Sequence, residues 1–210
     1  MRGARCIANP GCHATAFLLL VRPLVEAKVL SPVFLLSATS LTGYSGGGKQ
    51  MIARYKTGED PKLCAPCPYA LGLEHKHLPE MRGHGLLTRA PVFQPIVGNF
   101  ERGLAVTIPL HLDQLAPGTT GATLQRIYEE RYSGEPFVQV MPLTDPAALE
   151  VGFFDVQGCN DTNRVDLFVF ANSTQALLMA RLDNLGKGAG GAAVQNMNLC
   201  LGLPEQAGLS

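Results

Sequence analysis

The segment Asn9-Pro10-Gly11-Cys12 places a thiol where a helix should begin. Pro10-Gly11 is a turn signal, and Phe17, Leu20, Val21 and Leu24 recur on one face of the stretch that follows. A cysteine at such a start faces unpaired backbone N–H groups and the positive end of the helix dipole. Both favour thiolate and make a nucleophile. A buried structural cysteine fits the same residue equally well. The second cluster is His75-Lys76-His77-Leu78-Pro79-Glu80, which with Glu74 sets two histidines and two carboxylates within seven residues. That is enough for a general base and an orienting carboxylate. His77 and Glu80 stand three apart, close enough to pair on a helix. A solvated polar turn is the bland alternative.

Three further motifs carry less. Cys64-Ala65-Pro66-Cys67 has the spacing of a redox dithiol or half a zinc site, but no second pair and no thioredoxin-like pattern accompany it. No metal is expected from it. Gly43 to Lys49 matches the first seven positions of a phosphate-binding P-loop, and Gln50 then stands where Ser or Thr should reach magnesium. An ATPase is excluded, while an anion site on backbone N–H groups is not. Gly186 to Gly191 fits the dinucleotide fingerprint, yet only 19 residues follow it, too few for a βαβ unit.

The elements that would position these groups are legible in outline. Ala14 to Val21 and its flanks read as a helix buried on most sides, and Val33 to Thr39 as a buried strand running into a flexible glycine loop. Thr57 to Pro68 reads as irregular, and Pro79-Glu80 as the first turn of a short helix. Leu104 to Leu110 reads as a strand whose Pro109 requires a sheet edge or a strand end. Leu124, Ile127, Tyr128 and Tyr132 mark a helix stopping at Gly134. Phe137 to Met141, Val151 to Val156, Val165 to Ala171 and Gln175 to Leu182 are strand candidates, and Ala192 to Leu201 a final helix. Several neighbouring strands with a few helices give an α+β sheet domain spanning residues 1–210, without internal repeat or linker.

Composition narrows the class. Seventeen basic against 17 acidic residues give zero formal charge, which removes the signature of a nucleic-acid or membrane-surface binder. Six cysteines in 210 residues are too sparse for a disulfide scaffold and read as reduced thiols in the cytoplasm. Arg2 and Arg5 before the apolar run imitate a signal peptide, but Asn9-Pro10-Gly11 interrupts it and Arg22-Pro23 ends it. The run is also too short to span a bilayer.

Together the motifs are more specific than any one of them. Asn9-Pro10-Gly11-Cys12-His13-Ala14-Thr15, then Gly43 to Lys49, then Pro68-Tyr69 with His75 to Glu80, then Asp183 to Ala189 with Gln195-Asn196-Met197-Asn198 resemble N-acetyl-gamma-glutamyl-phosphate reductases, in that family's order. The shorter subtype is the nearer likeness. The resemblance implies a glyceraldehyde-3-phosphate-dehydrogenase-like catalytic domain, with a mixed, largely antiparallel sheet and packed helices. It implies NADPH-dependent reduction of N-acetylglutamyl phosphate to the semialdehyde, in arginine biosynthesis. Cys12 would carry a thioester, with His77 or His75 as acid/base, Glu80 orienting one of them and Tyr69 joining the network. Asn9, Ser45, Gly46, Gly47, Lys49 and Tyr69 would hold the substrate and its phosphate. Gly11, Asn184, Gly186, Lys187 and Gly188 would meet the cofactor.

Family members carry an NADP-binding Rossmann domain ahead of the cysteine segment, and no complete Rossmann unit precedes Cys12 here. The expectation is therefore a semialdehyde-dehydrogenase-type catalytic and dimerisation domain. Residues 1–30 would form its cysteine helix, and residues 186–210 would pack on a cofactor domain. The expected partners are a small acyl phosphate and either a second copy or a complementing cofactor-binding domain. An inactive fragment that only dimerises, and an aspartate-semialdehyde-dehydrogenase-type reductase, are the competing expectations. Without the cofactor domain, the apolar sides of the first and last helices should lose their cover.

Overall fold

The structure, a computed structural model, describes residues 3–4 and 6–210. Arg2 and Arg5 of the signal-like pattern lie outside the described residues. In chain order the elements are α1 (Cys12–Glu26), β1 (Ser37–Gly43), α2 (Gly48–Thr57), β2 (Cys67–Pro68), α3 (Leu78–His84), β3 (Val92–Gly98), β4 (Leu104–His111), α4 (Gly121–Tyr132), β5 (Val138–Val140), β6 (Leu149–Glu150), β7 (Phe153–Phe154), β8 (Val165–Ala171), β9 (Gln175–Leu182) and α5 (Gly191–Leu201). Seven strands form one sheet in the order β2-β3-β1-β4-β9-β8-β5, and β6 and β7 make a small hairpin. β1 with β3 and β5 with β8 are parallel, and the other pairings are antiparallel. This is the mixed, largely antiparallel α+β sheet that the sequence implies.

Strand alternation decides which face is covered. Ala38, Val106, Ile108, Leu178, Ala180 and Leu167 turn toward α1 and α4, and join Phe17, Leu20, Leu24, Leu124 and Tyr128 in one core. Phe17, Leu20 and Leu24 are fully buried. The expectation that α1 would be left uncovered is therefore corrected, because this domain buries α1 by itself. The last helix does keep exposed apolar groups, namely Met197, Leu201 and, just beyond it, Leu203.

α1 runs on through Pro23. A proline inside a helix has no N–H for the carbonyl four residues back, here Leu19. Tyr132 Oη fills that gap, donating to the Leu19 carbonyl at 2.6 Å, and Tyr128 Oη donates to the Leu20 carbonyl at 2.7 Å. Two phenols one helical turn apart on α4 thus fasten it to the proline turn of α1. Tyr132→Phe should lower unfolding free energy by about 1–3 kcal/mol, the cost of a buried acceptor left unpaired. Adding Pro23→Ala, which restores the N–H, should recover much of that loss. Denaturant titration of the two variants checks this, and an unaltered midpoint in Y132F would refute it.

The departures from the sequence reading have local causes. β1 starts four residues later than expected, after a Ser31-Pro32 turn, because its parallel register with β3 opens at Ser37↔Val92. Val33 and Leu35 are left exposed. β3 had no expectation at all, since Pro95 interrupts its pattern; it sits there because two-residue β2 barely pairs that side. Pro109 of β4 is not at a strand end, since it still pairs with Leu177 of β9, but it lies beyond the last residue paired with β1 and so meets a local sheet edge on that side. The glycine loop is a 3-10 turn over Tyr44–Gly47 leading straight into α2, which the sequence reading missed. Val151 to Val156 is not one strand: Val151 and Gly152 have positive φ and turn the chain between β6 and β7.

Candidate active site

Three stretches far apart in the chain meet at the start of α1. Gly11 is the N-cap of that helix and, lacking a side chain, offers no acceptor to its first N–H groups. Its own N–H donates instead to Glu80 Oε2 at 3.0 Å. This bond ties the cysteine loop to α3. Asn9 ties the same loop to the other end of the molecule, donating to the Ala189 carbonyl at 2.8 Å and accepting from Asn196 Nδ2 at 2.7 Å. Cys12 thereby stands at the floor of a cleft of about 760 Å³, between the glycine turn of β1–α2, the histidine segment and the π turn at Gly186–Gly190.

The histidine hydrogen bonds in this cleft form two sets, brought together by packing of the His13, His75 and His77 rings. His13 is buried, with Nδ1 2.8 Å from Ser40 Oγ and Nε2 3.0 Å from Tyr69 Oη. His77 is also buried, and its N–H donates to His75 Nδ1 at 3.2 Å. Ring nitrogens of His13 and His77 and the Cys12 sulfur all lie within 4.8 Å of one another. Two glycines make this closeness sterically possible. A Cβ on Gly11 would overlap His77 Nε2, and a Cβ on Gly188 would come within 2.7 Å of Cys12 Cβ.

Burial sets the charge states. It pulls His13 down to about 3 and His77 to about 4, and it lowers His75 as well, so all three are neutral near pH 7. It pushes Tyr69 up to about 12 and raises Cys12, outweighing the lowering effect of the backbone N–H groups of Cys12 and His13. The resting sulfur is a thiol, which corrects the expectation of a ready thiolate at the helix start. Depressed native histidine pKa values mean the unfolded chain binds more protons between those values and about 6.5. Stability is therefore full above about pH 6.5 and falls as pH drops below it. A thermal midpoint that declines between about pH 7 and pH 5, and declines less in His13→Gln, is the expected result.

A family model for the semialdehyde dehydrogenase dimerisation domain matches residues 12–184. The chain belongs to the semialdehyde dehydrogenase family. Similar curated relatives are N-acetyl-gamma-glutamyl-phosphate reductase 2 of a Nostoc species, 45% identical over 98% of this chain, and N-acetyl-gamma-glutamyl-phosphate reductase of Rhizobium etli, 47% identical over 94% of it. The chain spans 66% and 64% of their lengths. Among solved structures, aspartate semialdehyde dehydrogenase II from Vibrio cholerae has a TM-score of 0.65 at 18% identity, covering 92% of this chain and 61% of that one. A probable aspartate-semialdehyde dehydrogenase from Pseudomonas aeruginosa has a TM-score of 0.66 at 15% identity, covering 95% and 63%. These structures share the semialdehyde dehydrogenase fold expected from the sequence.

Within this semialdehyde dehydrogenase domain the residues singled out from sequence divide cleanly. Asn9, Gly11, Cys12, Ser45, Gly46, Gly47, Tyr69, His75, His77, Asn184 and Gly188 all line the cleft. Asn184 is spoken for by the scaffold: it accepts the Gly103 N–H at 2.9 Å and donates to Ser45 Oγ at 3.0 Å. Lys49 does not line the cleft; it is exposed on the first turn of α2. Gly186 and Lys187 lie outside it too, with Lys187 turned to Gln195 and the Phe137 ring. Glu80 orients no histidine by hydrogen bond and holds the Gly11 amide instead. Tyr69 joins the histidine network through His13. The sequence reading missed His13, Ser40 and Lys76 as lining or supporting groups. A polar residue at a core-facing strand position, as Ser40 is, was the available signal. No helix among the described residues is long and apolar enough to cross a membrane.

Proposed function

We propose that the cleft performs the acyl-transfer half of N-acetylglutamyl phosphate reduction, with Cys12 as nucleophile. The juxtaposition of the Cys12 thiol with neutral, buried His77 carries this reading, and the curated relatives support the choice of acyl phosphate. His77 takes the thiol proton as sulfur attacks the acyl carbon, and the C–O bond to phosphate breaks to leave a thioester. His75 positions His77 through its backbone N–H. Glu80 holds the Gly11 amide and so fixes where α1 begins. Among the described residues Lys76 is the one lysine or arginine lining the cleft, and it is assigned to the anionic substrate. Ser45, Gly46 and Gly47 form the opposite wall, where the departing phosphate would sit.

The cofactor of the family is a reduced nicotinamide dinucleotide. Gly188, Ala189 and Gly190 wall the cleft beside Cys12 with little side-chain bulk, which fits a planar ring there. When bound, such a cofactor supplies hydride to the thioester. The remaining dinucleotide contacts are assigned to a cofactor-binding domain of the same or a second chain. Formation of NADPH from N-acetylglutamate semialdehyde, NADP and phosphate, with that cofactor-binding domain supplied, tests the reading. Phosphate-dependent turnover that Cys12→Ser abolishes is expected; turnover surviving that change would overturn it.

The sheet face turned away from α1 is proposed as a homodimer surface, in line with the family model's description. Val92, Leu41, Thr107, Pro109, Leu177 and Met179 lie on it by register, and none belongs to the helix-side core. Leu177→Arg, at a position already 36% exposed, should halve the mass measured by light scattering without unfolding the chain. An unaltered mass would refute this surface.

A further inference from the structure

We propose that Cys12, His13 and His77 also form a site for a single soft divalent cation of the zinc type, which would cap the nucleophile. Each residue offers one ligand atom, and the three atoms lie within 4.8 Å of one another. Tetrahedral zinc with thiolate and imidazole ligands needs separations of roughly 3.3–3.7 Å, so side-chain adjustments of about 1 Å complete the set. Two features beyond proximity favour an ion. His77 is 6% exposed, and its Nδ1 is buried with no hydrogen-bond partner among the described residues. Buried polar atoms rarely stay unpaired, and a neutral imidazole keeps one unprotonated ring nitrogen with a lone pair to give. His13 has its Nδ1 against Ser40 Oγ, the outer hydrogen bond that orients a ligating imidazole. Its Nε2 would exchange the Tyr69 hydroxyl for the ion. Two imidazoles and one thiolate leave a fourth position open to the cleft for water or an anion.

Binding is a proton exchange. The Cys12 S–H bond breaks, its proton passes to solvent, and sulfur donates its pair to the cation; nothing is oxidised or reduced. Because this sulfur is also the nucleophile proposed above, an occupied site stops acylation. The experiment below reads binding directly, so its failure is distinguishable from failure of the functional reading.

Cobalt(II) is the probe, added to the purified chain with a non-chelating reductant. One cobalt per chain should give a thiolate-to-cobalt charge-transfer band, bleached by zinc. The band should vanish in Cys12→Ser and persist in the Cys64→Ser/Cys67→Ser double variant. Ser40→Ala should weaken cobalt binding by about tenfold. In the wild-type chain, where folding is not in question, zinc should protect Cys12 from iodoacetamide as read by peptide mapping. Absence of the band, its survival in C12S, its loss in the double variant, or unprotected Cys12 would each overturn the proposal.

Discussion

His77→Gln should slow acyl transfer to Cys12 by about a hundred- to ten-thousand-fold, the usual contribution of a positioned base. The size follows from the charge states. Burial raises the thiol and holds the imidazole at about 4, so an ion pair does not form in advance. The proton must move during attack, and the base is needed at that moment. Two signatures separate this role from a structural one. In the wild type the acylation rate should be level across neutral pH and decline only toward the His77 pKa of about 4. In H77Q the rate should climb about tenfold per pH unit, because only the small thiolate fraction reacts. His75→Gln should act through position and cost far less. The check is phosphate release in a single turnover across pH; equal profiles for wild type and H77Q would remove His77 from the chemistry.

Gly11→Ala should disable the cleft almost as thoroughly while leaving the fold largely intact. The new Cβ would overlap Nε2 of His77, a rigid ring that is itself packed against His13 and His75. Something must shift to relieve that overlap. Either His77 leaves its place beside the thiol or the N-terminus of α1 moves. Both displace Cys12 from its base, and a misplacement of about 1 Å can cost a hundredfold in rate. The core under α1, built on Phe17, Leu20 and Leu24, lies more than a turn away and should hold. Gly188→Ala, with its Cβ 2.7 Å from Cys12 Cβ, should behave similarly. Circular dichroism alongside single-turnover phosphate release checks the pair. Near-normal turnover in G11A would mean that the crowding at this cap is not what sets the geometry.

The sequence alone pointed to residues that line the cleft and to much less of what holds them. Cys12 was legible because a turn, a small residue and an apolar helical period coincide there. β8 and β9 were legible because Val165 to Ala171 and Gln175 to Leu182 are apolar and closed by turn residues. β3 was hidden by Pro95, which only tertiary context tolerates. α2 was hidden because two glycines precede it, a third opens it, and its own residues are mostly polar. The hydrogen-bond partner of Glu80 was hidden for a different reason. The spacing of Glu80 from His77 suggested a local pair, but its carboxylate finds the Gly11 amide 69 residues away. The charge state of Cys12 was misread because the helix terminus is a local property and burial is not. The Tyr132–Leu19 bond, joining residues 113 apart, likewise depends on a packing that periodicity cannot show.

The most direct test of the central claim is mass spectrometry of the purified chain after brief exposure to N-acetylglutamyl phosphate, with no nicotinamide cofactor present. The account predicts one N-acetylglutamyl group per chain as a hydroxylamine-labile thioester on the Cys12 peptide, with one phosphate released. An unmodified folded chain, or an adduct that persists in Cys12→Ser, would contradict it.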